Sequence, residues 1–209
     1  MKVFSNLLED WFVNTPELWK TRKNRTLFKI EKKTVGEDWT EYQLLSMGKP
    51  GVTFRDMESG KGKFPESFES YQTVIPGDLI FCLYDIDETP RTVGYSDISG
   101  MITPSYTIVK CFPGINPKFL YYMYSTLDDN KVLKPYYTGL RNSIRPETFL
   151  NIELKIPPLE IQNNVVNFLD NKIGLINKLI NKEKERIKSL EELKYSLSYE
   201  HVTGKNILD

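Results

Sequence analysis

The sequence predicts an α+β protein, with a mixed-sheet N-terminal domain over residues 1–157 and a long C-terminal coiled-coil helix over residues 158–209. Three observations lead there. Up to Pro157-Pro158, short apolar runs bounded by Gly, Pro, Asn and Asp alternate with helix-start signals. Beyond that dipeptide there is no proline, and only Gly174 interrupts before Gly204. Finally, Val166, Leu169, Ile173, Ile176, Ile180, Glu183, Ile187, Leu190, Lys194, Leu197 and His201 alternate spacings of three and four, and eight of these eleven are apolar.

The elements follow in chain order. Pro76-Gly77-Asp78 is a turn signal that leads into a buried strand at residues 79–84. Residues 91–95 and 102–109 read as further strands. Asn116-Pro117 supplies an N-cap and a proline at the first helical position. Phe119, Met123 and Leu127 then recur every four residues, so one face of that helix is core. A short helix begins at Arg145-Pro146, and residues 152–156 form the last strand. The final helix runs from residue 159 to about 202, as one rod or broken near Gly174, and Gly204 stands where a terminating glycine would. At about 1.5 Å per residue it is about 60 Å long. Unless it is a long core helix within one domain, such a rod needs a partner helix to cover its stripe. The dimerisation residues are then Val166, Leu169, Ile173, Ile176, Ile180, Ile187, Leu190 and Leu197, while Glu183, Lys194 and His201 interrupt the seam and set register or partner choice.

Composition narrows the function classes. The 209 residues are 40% hydrophobic and 27% charged, ordinary globular values. No run approaches the roughly 18 apolar residues of a membrane span, and the start turns acidic too soon for a signal peptide. Cys82 and Cys111 cannot make a disulfide framework, which points to a reducing cytoplasm. His201 is the only histidine, so a His-based metal site or a Ser/His triad is not expected. Lys and Arg total 28 against 28 Asp and Glu, which speaks against a uniformly basic nucleic-acid binder. The charge is uneven, however. Residues 20–33 carry Lys20, Arg22, Lys23, Arg25, Lys29, Lys32 and Lys33 against one acid, Glu31, a net +6 over 14 residues. That is either a solvated surface or a phosphate-contacting face.

Several motifs fail on inspection. Ile156-Pro157-Pro158-Leu159 lacks the Asp or Asn and the aromatic that an amino-methyltransferase D/N-P-P-Y/F loop needs to hold a flipped base. The run Gly60-Lys61-Gly62-Lys63 has no third glycine and leads to no helix, and no ATP-binding G-x-x-x-x-G-K-[ST] run occurs. Glu153-Leu154-Lys155 imitates half of a nuclease metal site, but it matches ordinary strand alternation, and no metal site is assigned. What remains is a recognition surface: Lys20, Arg22, Lys23, Arg25, Arg55, Lys61, Lys63, Arg91, Arg141, Asn142 and Arg145 are the candidate DNA-binding residues. Arg reads guanine O6/N7 and Asn reads adenine N6/N7, each bidentately.

These residues resemble a known family, the DNA-specificity subunit of type I restriction-modification systems. The join and long helix carry the strongest similarity, from Ile156-Pro157-Pro158-Leu159-Glu160-Ile161-Gln162 through Phe168-Leu169-Asp170 to Val202-Thr203-Gly204-Lys205. Pro76-Gly77-Asp78-Leu79-Ile80-Phe81 is similar to its P-G-D strand entry. Gly139-Leu140-Arg141, with Ile144, Phe149 and Ile152, is similar to its G-x-R closing segment, and Pro16-Glu17-Leu18-Trp19 to its P-x-x-W opening. The resemblance implies a non-catalytic target-recognition domain followed by a conserved spacer helix, with Arg141 as a DNA contact. It also implies two such pairs per polypeptide, their helices paired antiparallel, so that a chain with one pair homodimerises and reads a split palindromic site. No cofactor is implied in this chain; S-adenosylmethionine, ATP and Mg belong to a partner methyltransferase subunit and a partner restriction subunit. Two other readings stay open: a degenerate or decoy half-subunit that pairs through the coiled coil without sequence readout, and a small nuclease using Asp and Glu groups.

Overall fold

The computed structural model describes residues 16–55, 65 and 67–205. The strands are β1 (Lys20–Lys23), β2 (Phe28–Glu31), β3 (Leu45–Gly48), β4 (Gly51–Phe54), β5 (Gln72–Val74), β6 (Leu79–Phe81), β7 (Val93–Tyr95), β8 (Gly100–Ile102), β9 (Thr107–Cys111) and β10 (Glu153–Ile156). The helices are α1 (Pro117–Asp129), α2 (Pro146–Asn151) and α3 (Leu159–Val202). A four-stranded antiparallel sheet has the order β2-β9-β6-β7, and three two-stranded pairs, β1-β10, β3-β4 and β5-β8, stand beside it. The α+β class with a long C-terminal helix is therefore the observed one.

Each turn has a local cause. In Pro76-Gly77-Asp78, Gly77 takes φ +93, which suits a residue without Cβ. The buried Asp78 carboxylate accepts from the Ile75 backbone N–H at 3.0 Å, and its own carbonyl accepts from Ser96. Burial raises its pKa while that hydrogen bond opposes the shift. The α1 start is as the sequence reads: Asn116 Oδ1 accepts from the backbone N–H of Lys118 and Phe119 at 2.9 and 3.2 Å. One reading changes. The expected single strand at 102–109 is two strands, β8 and β9, separated by a turn in which Tyr106 N–H donates to the Thr103 carbonyl. Pro104 cannot donate to a ladder, so the apolar pattern carries across a break in pairing.

Side chains from four elements close the core. Phe28 of β2, Phe81 of β6, Tyr124 of α1 and Phe149 of α2 form one aromatic cluster, with Phe81 at 4.8 Å from both Tyr124 and Phe149. Edge-to-face and tilted pairs of this kind add about 0.5–1.5 kcal/mol each beyond their burial. Leu45, Val74, Ile80, Ile102 and Ile108 make a second cluster between the small pairs and the main sheet. The buried Asn24 ties the turn after β1 to α2: its side chain donates to the Phe149 carbonyl at 2.7 Å and its backbone N–H to Ile152.

The chain divides into two compact units, Met1–Asn164 and Val165–Asp209. The first turn of α3 belongs to the first unit, where Gln162 is 1% exposed. Its Oε1 accepts from the Asn116 N–H at 2.8 Å, and its Nε2 donates to the carbonyls of Pro157 at 2.9 Å and Gly114 at 3.4 Å. The second unit is helical and continues through Gly174 without a break. It ends in a Schellman arrangement, with Gly204 at φ +71, Lys205 N–H donating to Glu200 and Gly204 N–H to His201. Replacing Gln162 by Ala leaves several buried backbone groups unpaired and should lower unfolding free energy by about 1–3 kcal/mol, measured by thermal or denaturant unfolding; an unchanged midpoint would refute this role.

Candidate nucleic-acid interface

The basic segment is divided between two sheets, because its two strands pair with different partners. β1 pairs with β10 in the register Lys20↔Ile156 to Lys23↔Glu153, whereas β2 pairs with β9. Lys20 and Lys23 are exposed, and Lys23 Nζ lies 3.7 Å from Glu153. Arg22 is half-buried, its guanidinium donating to Thr26 Oγ1 and the Thr26 carbonyl, which lays it along the turn that carries exposed Arg25. Lys29 pairs with Glu31 at 2.9 Å, and this hydrogen bond and charge hold the Glu31 carboxyl below its ordinary pKa. Lys61 and Lys63 lie outside the described residues. Arg55 is exposed just after β4, and Arg145 is exposed at the cap of α2.

Two loops distant in sequence are zipped together. Asp85 N–H donates to the Arg141 carbonyl at 2.7 Å, and Ile144 N–H to Leu83 at 2.8 Å. Arg141 Nε donates to both Asp85 carboxylate oxygens at 3.0 and 3.1 Å, and its Nη2 also bonds Oδ2. The guanidinium carbon stands 5.3 Å from the centre of the Tyr84 ring. Asn142 Nδ2 donates to Asp87 Oδ2 at 3.2 Å. Both reader candidates thus meet an acid of the loop opposite. The backbone accepts unusual geometry to do this: Asp85 takes φ +47, Asn142 +43 and Gly139 +71. Leu140, between Gly139 and Arg141, is fully exposed.

Arg91 is held elsewhere. It bonds Asp129 and lies 4.0 Å from Asp128 at the C-terminal end of α1. Asp128 is 4% exposed, accepts from the Thr92 N–H at 3.0 Å, and pairs with Lys131. Sequence reasoning found the cations and the acidic run of one loop, but not their pairing with each other. The available signal was the run Asp85, Asp87 and Glu88 within the same loop, and the adjacent Asp128 and Asp129 at a helix end, where a negative charge is not favoured by the helix dipole and so implies a partner.

Among the described residues, no three His, Cys, Asp or Glu side chains are grouped to hold a metal ion, and no helix is long and apolar enough to cross a membrane. Glu153 is spent on Lys23. Burial, with Asp78 acting in the same direction, pushes the Cys111 thiol up to about 12, so it stays protonated at neutral pH.

On α3, Val166 is buried and Leu169 half-buried, but the stripe members from Ile173 to Leu197 are 38–56% exposed. Leu175, Leu179 and Leu193 widen the exposed apolar band. Exposed apolar faces of this size are commonly interaction surfaces in folded proteins.

The hydrogen bonds from Arg141 hold the Asp85 carboxyl below the ordinary aspartate pKa, and Asp85 in turn raises that of Arg141. A depressed acid pKa means pairing that is complete above the ordinary aspartate value and lost as pH falls through the depressed one. In a carboxyl NMR titration Asp85 should therefore titrate below the ordinary aspartate value, and Arg141→Ala should move it upward. Identical titrations in both proteins would remove the latch.

The family model described as "Type I restriction modification DNA specificity domain" matches residues 16–189. No curated protein sequence matches the chain. The solved HsdS subunit from Thermoanaerobacter tengcongensis superposes with a TM-score of 0.55 at 16% identity, covering 95% of this chain and 50% of that one. A chain from a structure of the type I R-M system, determined for complex assembly and conformational transition, gives 0.56 at 14%, covering 95% and 53%. At these identities the likeness is one of fold, and the chain spans about half the length of the solved chains it matches. The family match runs from the residues before β1 through most of α3, and the chain belongs to the type I restriction-modification DNA specificity domain family.

Proposed function

We propose that this chain is a non-catalytic, sequence-specific DNA-recognition subunit that directs partner methyltransferase and restriction subunits to a bipartite site, and that it does so as a homodimer. Residues 1–157 act as the target-recognition domain and residues 158–209 as the spacer and dimerisation helix. One observation carries the reading: in a family whose solved relatives are about twice this length, the apolar stripe of α3 stands exposed from Ile173 to Leu197. A second copy of α3 supplies the cover that this stripe lacks. A two-fold dimer then presents two identical domains, which makes the target a split palindrome.

Recognition is assigned to the loops rather than to bulk charge. Residues 159–209 carry 8 basic and 8 acidic residues, so neither unit attracts DNA by net charge. Arg141 and Asn142 sit on a strained, exposed turn, as a base-reading element requires, and Asp85 and Asp87 hold their side chains in fixed directions. Lys20, Lys23, Arg25, Arg55 and Arg145 are the exposed cations suited to phosphates, which position a protein without specifying sequence. S-adenosylmethionine, ATP and Mg are assigned to the partner subunits.

Selection from a pool of random duplexes, with the methyltransferase subunit present, should enrich one split palindrome. A dimer that enriches nothing is a decoy half-subunit, and the recognition reading fails. Arg141→Ala should cost about 1–3 kcal/mol and relax preference at one base pair if it reads a base, or weaken all sequences evenly if it contacts phosphate. Unchanged binding would reject both roles. Ile180→Glu places an unpaired charge in the seam, a change worth several kcal/mol, and should yield a monomer in sedimentation; a persisting dimer would show that the stripe is not the interface.

A further inference from the structure

Two charges break the apolar seam of α3 within its exposed stretch, Glu183 at a d position and Lys194 at an a position, and both are exposed in the single chain. Glu183 has only a loose local partner, Arg186 at 4.0 Å. We infer that α3 pairs with α3 of a second copy in antiparallel fashion, in the one register that sets Glu183 against the partner's Lys194 and Lys194 against the partner's Glu183. This rests on the homodimer reading, whose antiparallel direction the family resemblance already implies, and specifies its alignment.

The register follows from the alternatives. In an antiparallel coiled coil each a layer faces a d layer of the partner, and the seam charges must fall within that pattern. A parallel, in-register pair would bring Glu183 against Glu183 and Lys194 against Lys194, like charges in a low-dielectric seam. An antiparallel pair shifted by one heptad either way would bury Lys194 against the partner's Ile176 or the partner's Leu190, a charge without a counter-charge. In the inferred register Ile187 faces the partner's Leu190 and Ile180 faces the partner's Leu197, so the apolar layers beside the charges meet apolar layers, and Ile176 faces the partner's His201 near the end of the overlap. Lys184 then flanks the partner's Glu191 across the e positions, a further opposite-sign pair. The seam charges act as a specificity device, penalising every other alignment more than they stabilise this one.

A second observation agrees. This register overlaps the helices over about 28 residues, from about 175 to 202. It sets the Gly204 helix end level with the partner's Ile173. Ile173 is where the exposed part of the stripe begins, whereas Val166 is already buried and Leu169 half-buried in the single chain. The stretch that the partner covers is the stretch that lacks cover.

Sedimentation equilibrium on the full chain tests the register with three variants at exposed positions, where the helix tolerates either charged residue. Glu183→Lys and Lys194→Glu should each weaken dimerisation by about tenfold or more, and the double variant should return to near the wild-type constant, the sign of direct coupling. A parallel dimer predicts single variants close to wild type. A dimeric wild type whose double variant is no tighter than its weaker single variant overturns the register alone. A wild-type chain that stays monomeric overturns the homodimer reading and the register with it.

Discussion

Gln162 stands where three segments meet, and its side chain is shared among them. Its oxygen takes the Asn116 N–H, its nitrogen serves Pro157 and Gly114, and neighbouring Asn163 accepts from the Asn116 side chain at 2.8 Å. Asn116 in turn caps α1, so the angle at which α1 enters is set by a residue of a different helix. Phe119 and Tyr124 reach the core only because α1 starts there. A buried amide is costly unless satisfied, and here the Gln162 side chain is satisfied by backbone groups of two other segments. The signature Pro-Pro-Leu-Glu-x-Gln is thus a structural joint before it is anything else.

Much of this was legible along the chain. The caps, the Pro-Gly-Asp turn and the helical period of the last segment are local patterns, and each produced its turn or helix. The division of residues 102–109 into two strands was less legible, because Ile102, Ile108 and Val109 are all buried and give an apolar run with no visible change of sheet. The candidate site was legible only by half. Cations are countable in sequence, but their partners are not: Arg141 and Asp85 are 56 residues apart, Arg91 and Asp129 38. A charge count along 20–33 likewise could not show that β1 and β2 enter different sheets.

The two units carry their function in opposite ways. In the domain, polar groups are largely paired, and under the proposed function recognition depends on what the zipped loops present rather than on attraction from a distance. Pairs as exposed as Arg141 with Asp85 add little stability; their effect is on direction, since a guanidinium held on one edge has fewer orientations to lose on meeting a base. In the helix, the apolar face is what remains incomplete, and a long amphipathic rod gains its stability from packing rather than from propensity.

The pairing of β1 with β10 has a further meaning. Lys20 lies opposite Ile156, so the chain enters and leaves the domain at adjacent points on one short ladder. Nearly everything between is enclosed by that clasp. Held at both ends by one ladder, the segment between β1 and β10 keeps the spacing of its two ends while the loops within it vary in length and sequence.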